Sequence, residues 1–262
     1  MLKHPVIGLN MSMDLIDKYE KFDFLVPVSY VDAVIGAGGM PICIPPYPNI
    51  EMIYRFLPIL DGFVLIGGDD YLPEHYGGHP QPENELMPER RDRFDLLLAK
   101  WILQETAMPV LGVCGGHQLI SIAQGGALVQ DIRTEWKDPS GGQLLLHSGR
   151  ERNDNDKNQF HHPVRREKDS LIALVTKAIP DEALPANSYH HQAVHPRRVG
   201  HSLRPSAWAA DGVIEAIEPA DDSPWAQSGR FVLGIQWHPE RMQDEEPHRN
   251  IFRALIEAAR RK

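Results

Sequence analysis

PVLGVCGGHQ, residues 109–118, is an apolar run that ends at Gly-x-Cys-x-Gly and passes at once into helix-forming sequence. The run does not alternate apolar and polar residues, so as a strand it must be covered on both faces, the condition of a parallel sheet inside an α/β protein. The break at its end reads as a strand–turn–helix elbow with cysteine at the apex. Gly112 and Gly116 leave room where a Cβ would collide with neighbouring strands. Cys114 then caps a helix N-terminus, where unpaired N–H groups and the dipole favour a thiolate, and the Gly115 N–H is placed to donate to an oxyanion. Alone, the same stretch also fits a buried cysteine in a tight βα turn.

The surrounding sequence repeats the alternation. Residues 6–9, 41–45 and 63–66 are further short apolar runs, and residues 30–37, 52–60 and 92–104 carry helical periods between them. The expected fold is α/β, with a mostly parallel central sheet and helices on both faces. Residues 203–209, 212–218 and 230–237 read as strands linked by turn signals, a small antiparallel extension, and residues 247–261 as a last helix. The polar stretch 134–161 has no period and reads as a surface excursion. With no repeat and no linker, residues 1–262 read as one domain.

Composition narrows the function. The chain has 262 residues and a formal net charge of −9, with no dense basic run, which argues against nucleic acid or an anionic membrane as partner. Its longest apolar runs fall far short of the ~20 residues that span a bilayer. Two cysteines and no signal-peptide pattern point to a reduced, cytoplasmic protein. Cys43, flanked by Ile42 and Ile44, reads as core packing.

A nucleophilic thiol needs a base, and the base needs an orienting acceptor. FVLGIQWHPE, residues 231–240, reads as a strand ending at His238-Pro239-Glu240. Two residues apart on extended backbone, His238 and Glu240 project to the same side, so the imidazole can face the thiol while the carboxylate holds its other nitrogen. The chain has 13 histidines, and the pairs His161-His162 and His190-His191 are the obvious metal candidates. Adjacent residues of a strand point to opposite faces, which makes each pair a poor set of ligands, and no HExxH or CxxC occurs. No metal and no cofactor is expected.

GVCGGHQ followed by GIQWHPE resembles the class I glutamine amidotransferases, whose triad is Cys, His and Glu in that order. LIGGDD at residues 65–70 with Pro73 and Tyr76-Gly77, NSYHHQAV at residues 187–194, Arg91-Asp92 and DGVIEA at residues 211–216 are similar to the γ-glutamyl-γ-aminobutyrate hydrolase branch, of peptidase C26 type. The resemblance implies a flavodoxin-like amidotransferase fold and a hydrolase that cleaves a γ-glutamyl amide through a γ-glutamyl thioester, with a place in polyamine catabolism. It implies Cys114 as nucleophile, His238 as base and acid, and Glu240 as its orienting group. Gly67 or Gly68, with Gly115, would form the oxyanion hole, and Gln118, Asn187, Ser188, His190, His191 and Gln192 would hold the glutamyl moiety. The partner implied is a small γ-glutamyl substrate, and family habit points to a homodimer.

The sequence departs from that branch at two places. Gly115 stands where an arginine is common, and the resulting CGGHQ is closer to amidotransferase domains that take glutamine itself; Ile66 replaces a usual proline. A glutaminase feeding ammonia to a separate synthetase is therefore the second reading. A third, a binding protein that has lost catalysis, fits poorly with an intact Cys114, His238 and Glu240.

Overall fold

The computed structural model describes residues 4–15, 22–49, 51–148, 161–177, 179 and 182–261. The strands are β1 (Val6–Asn10), β2 (Ser12–Leu15), β3 (Phe22–Leu25), β4 (Met40–Ile44), β5 (Gly62–Leu65), β6 (Val110–Val113), β7 (Leu128–Val129), β8 (His161–Arg166), β9 (Leu184–Asn187), β10 (Ala193–Val194), β11 (Leu203–Ala209), β12 (Ile214–Pro219) and β13 (Val232–Ile235). The helices are α1 (Val28–Gly36), α2 (Glu51–Phe56), α3 (Glu89–Glu105), α4 (Gly115–Ala123), α5 (Ile132–Glu135), α6 (Leu171–Val175), α7 (Pro224–Gln227) and α8 (Glu246–Arg260).

One sheet organises the chain, in the order β4-β1-β5-β6-β13-β12-β11-β8-β9. From β4 to β13 every neighbour is parallel, and from β13 outward every neighbour is antiparallel. The parallel strands are fully buried at β5, β6 and β13, as their unbroken apolar sequence requires. Helices α1 and α8 cover one face through Tyr30, Val34, Ile251 and Leu255. Helices α3 and α4 cover the other through Phe94, Leu98, Leu119 and Ile120. The expected α/β class holds, with an antiparallel extension that is longer than the sequence signals because β8 and β9 join it.

Two expectations are corrected. Cys43 is exposed, because β4 is the terminal strand of the sheet and its neighbours Ile42 and Ile44, on the opposite face, are the ones that turn to the core. The excursion after α5 is not wholly superficial in its described part: His147 is buried, and Leu145 N–H donates to Asp211 at 3.0 Å. Residues 149–160 of that stretch lie outside the described residues. Among the described residues no helix is long and apolar enough to cross a membrane.

Candidate active site

Cys114 stands between β6 and α4 with φ 52° and ψ −110°, a backbone conformation that a side-chain-bearing residue adopts only under strain. The glycines around it are forced by close approach. A Cβ on Gly116 would lie 1.9 Å from the Leu65 carbonyl oxygen, and one on Gly112 would lie 2.5 Å from that of Gly116. The elbow is held from β13 as well, since Cys114 N–H donates to Ile235 O at 2.8 Å.

β13 is parallel to β6 and hydrogen-bonded to it, so the residues after its C-terminal end emerge beside the elbow. His238 there stands beside Cys114, whose charge acts on its ring, and its Nδ1 pairs with Glu240 Oε1 at 2.8 Å. The carboxylate is fully enclosed, and this contact fixes the tautomer that turns Nε2 to the sulfur. Burial alone would lower the imidazole's pKa; the facing charges of Cys114 and Glu240 outweigh it and hold the group up to about 9. Asn187 brackets the same residue: its Oδ1 accepts from His238 N–H at 2.8 Å and its Nδ2 donates to His238 O at 3.0 Å.

The Gly67–Gly68 turn, which the sequence offered for an oxyanion hole, is held by a buried polar network. Arg91, 1% exposed, donates from Nη2 to the Gly67 carbonyl at 2.8 Å and from Nη1 to Ser12 Oγ at 2.7 Å. Its Nε lies 3.3 Å from Asp95, which also accepts from Asn10 and Tyr71. In a trans peptide the N–H points opposite to the C=O, so fixing Gly67 O aims the Gly68 N–H the other way, towards the elbow. An atom built as Cβ on Gly115 would sit 3.3 Å from Gly68 N, which measures how closely the two amides approach. The Gly67 N–H is already engaged by Tyr30 Oη at 3.3 Å. Of the two glycines the sequence offered, Gly68 is therefore the one whose donor suits an oxyanion.

The remaining predicted residues spend their polar groups inside the protein. Gln118 Nε2 donates to Gln192 O and to Gln236 Oε1, each at 3.2 Å, and Gln236 Nε2 reaches Cys114 Sγ at 3.7 Å. Gln192 Nε2 donates to Gln130 O, His191 Nε2 lies 2.9 Å from Asp70 Oδ1, and Ser188 Oγ donates to His147 O. Residues 187–192 thus form a scaffold packed behind the His238 turn. Tyr189 alone of that stretch is exposed, edge-on to the His238 ring at 5.8 Å and capped by Arg241 at 4.9 Å. Sequence reading missed Tyr30, Asn10 and Gln236, which belong to distant segments; Gln236, beside a predicted strand end, carried the only local signal.

Neither histidine pair acts as a unit, as the sequence reading expected. One imidazole is drawn from each: His162 and His190 meet His147 and Glu215, all buried, with one potential ligand atom per residue and all four atoms within 4.8 Å of one another. Burial depresses His162 and His190, whereas the surrounding imidazoles outweigh burial at Glu215 and hold its carboxyl below the usual range. A cavity of about 640 Å³, lined in part by Asp131, Arg133, His147, His190 and His191, opens onto this group; neither Cys114 nor His238 lines it.

Residues 5–240 match the family model of peptidase C26. Over 259 residues the chain is 32% identical to a candidate glutamine amidotransferase of Mycobacterium tuberculosis, covering 97% of this chain and 75% of the relative. Over 261 residues it is 27% identical to the γ-glutamyl-γ-aminobutyrate hydrolase of Escherichia coli K12, covering 98% of this chain and 94% of the relative. A solved structure of a candidate GMP synthase component from Thermoplasma acidophilum superposes with a TM-score of 0.58 at 15% identity, covering 98% of this chain and 95% of that one. That likeness concerns the fold.

Proposed function

The chain belongs to the peptidase C26 family, a glutamine amidotransferase-like hydrolase, and from that premise we propose that it cleaves a γ-glutamyl amide, such as γ-glutamyl-γ-aminobutyrate, to glutamate and an amine. The observation that carries the proposal is the placement of His238 between Cys114 and Glu240 at the end of β13. The Cys114 thiolate attacks the γ-carbonyl, and the oxyanion of the tetrahedral intermediate accepts from the Gly68 and Gly115 N–H groups. Collapse breaks the C–N bond as His238 Nε2 hands its proton to the departing amine, leaving a γ-glutamyl thioester. Water then loses a proton to His238, attacks the thioester carbonyl and releases glutamate and the thiolate.

A second reading, release of ammonia from glutamine for a separate synthetase, is favoured by Gly115, where the hydrolase branch carries arginine. Glutamate release from a panel of γ-glutamyl amines and glutamine separates the two. We expect preference for a γ-glutamyl amine, loss of turnover by at least about 10⁴-fold in Cys114→Ala, and activity within about twofold of the parent in Cys43→Ala, whose thiol lies on the sheet edge. Release from glutamine alone would favour the second reading. Undiminished turnover in Cys114→Ala would overturn both.

A further inference from the structure

We propose that His147, His162, His190 and Glu215 form a structural site for one zinc-class divalent cation, separate from the nucleophile. The site stands whichever substrate the hydrolase takes. Four chain segments meet there: the stretch after α5, strand β8, the β9–β10 link and strand β12.

The direction of the nitrogen lone pairs carries the argument. His190 Nδ1–H donates to the Gln192 carbonyl at 2.8 Å, so its Nε2 is the lone-pair nitrogen, and it lies 3.7 Å from Glu215 Oε1. His147 Nε2–H donates to Asp211 Oδ2 at 3.0 Å, so its Nδ1 is the lone-pair nitrogen, 3.3 Å from the Ser188 hydroxyl, which spends its proton on His147 O, and 3.7 Å from Glu215 Oε1. His162 Nε2 lies 3.3 Å from the same oxygen. Lone pairs of imidazole facing a carboxylate oxygen repel unless a cation sits between them.

The spacings point the same way. Charged N–H···O bonds run at about 2.7–2.9 Å, shorter than all three contacts. Ligand atoms around a tetrahedral ion with bonds of about 2.0–2.1 Å lie roughly 3.4 Å apart, near the 3.3–3.7 Å contacts at Glu215 Oε1, and the whole set lies within 4.8 Å. Glu215 Oε1 and Oε2, His162 Nε2 and His190 Nε2 are buried atoms with no hydrogen-bond partner, in a protein interior where such atoms are costly.

Charge adds a third observation. Asp211 and Glu215 are 1% and 0% exposed, and their ion-pair contacts among the described residues are to histidines rather than to lysine or arginine. A dication would compensate both carboxylates. Asp211 behind His147 and the Gln192 carbonyl behind His190 supply the outer hydrogen bonds that orient metal-bound imidazoles. Three nitrogens and one oxygen without sulfur suit zinc or cobalt, and four protein ligands close the shell, the pattern of a structural site. The adjoining cavity, lined by His147 and His190, gives the ion a way in.

The test is to strip the full chain with a chelator and titrate it with zinc, reading stoichiometry by elemental analysis and affinity against a chromophoric chelator. We expect one zinc per chain in the parent and in Cys114→Ala, and affinity at least about 10-fold weaker in Glu215→Gln and His162→Gln. Cobalt supplies a reading that needs no variant: tetrahedral visible bands without thiolate-to-cobalt charge transfer. No zinc uptake by the parent, zinc lost in Cys114→Ala, a thiolate band with cobalt, or unchanged affinity in both ligand variants would each overturn the site.

Discussion

Arg91 Nη2 donates to the Gly67 carbonyl at 2.8 Å from a guanidinium that is itself enclosed, so the peptide carrying the Gly68 N–H is clamped from behind. The donor that would meet the oxyanion is thereby oriented before substrate arrives, which is where electrostatic stabilisation of a transition state is largest. On the proposed reaction Arg91 meets no reacting atom itself and serves to position the Gly68 donor.

Arg91→Lys keeps the positive charge beside Asp95 but cannot reach Ser12 Oγ and Gly67 O with a fixed fork. We expect kcat for glutamate release to fall about 100-fold while KM moves little, with the circular dichroism spectrum retained. An unchanged kcat would show that the Gly67–Gly68 peptide needs no clamp.

The raised His238 group predicts the alkaline limb of activity. With its pKa at about 9, His238 still carries the proton owed to the leaving amine through neutral pH, and kcat/KM falls as pH passes about 9. Glu240→Gln removes one of the charges that raises it, so the limb moves to lower pH in the residual activity. A pH–rate profile that keeps its alkaline limb in Glu240→Gln would contradict this account.

Stability should also vary with pH, from opposite directions. His117 and His248 are buried with pKa values lowered to about 4, chiefly by desolvation. The unfolded chain, near 6.5, binds protons the folded one refuses, so their contribution is lost as pH falls from about 6.5 to about 4, roughly 3 kcal/mol for each. His238 has the other sign: raised to about 9, it contributes fully below about 6.5 and loses that contribution as pH rises to about 9. Denaturant midpoints measured from pH 4 to 9 should therefore peak between the two limbs, and His248→Gln should flatten the acid one.

The cysteine turn was legible because it is local: strand, glycines, cysteine and helix start occupy ten consecutive residues, and their close contacts are with each other or with the neighbouring strand. Glu240 was legible for the same reason, two residues from its histidine. Arg91 and Asp92 were visible only as part of a family pattern, and Tyr30 and Asn10 were silent, because their partners at Gly67 and Ile66 lie in the distant turn after β5. Cys43 was misplaced because local sequence cannot tell an edge strand from a central one. The imidazole cluster was invisible because each histidine pair contributes one member, and only the long antiparallel half brings those members together.

Asn187, the last residue of β9, holds His238 through both its backbone N–H and its backbone carbonyl, and β9 is the outermost strand of the antiparallel half. His238 is thus held from both halves of the sheet, by the chain leaving β13 in the parallel core and by Asn187 on the outermost strand. An excursion that peeled β9 from β8 would remove the Asn187 half of that grip while β6, β13 and their helices stayed in place. On the proposed reaction, we expect activity to be lost on warming before the parallel core melts.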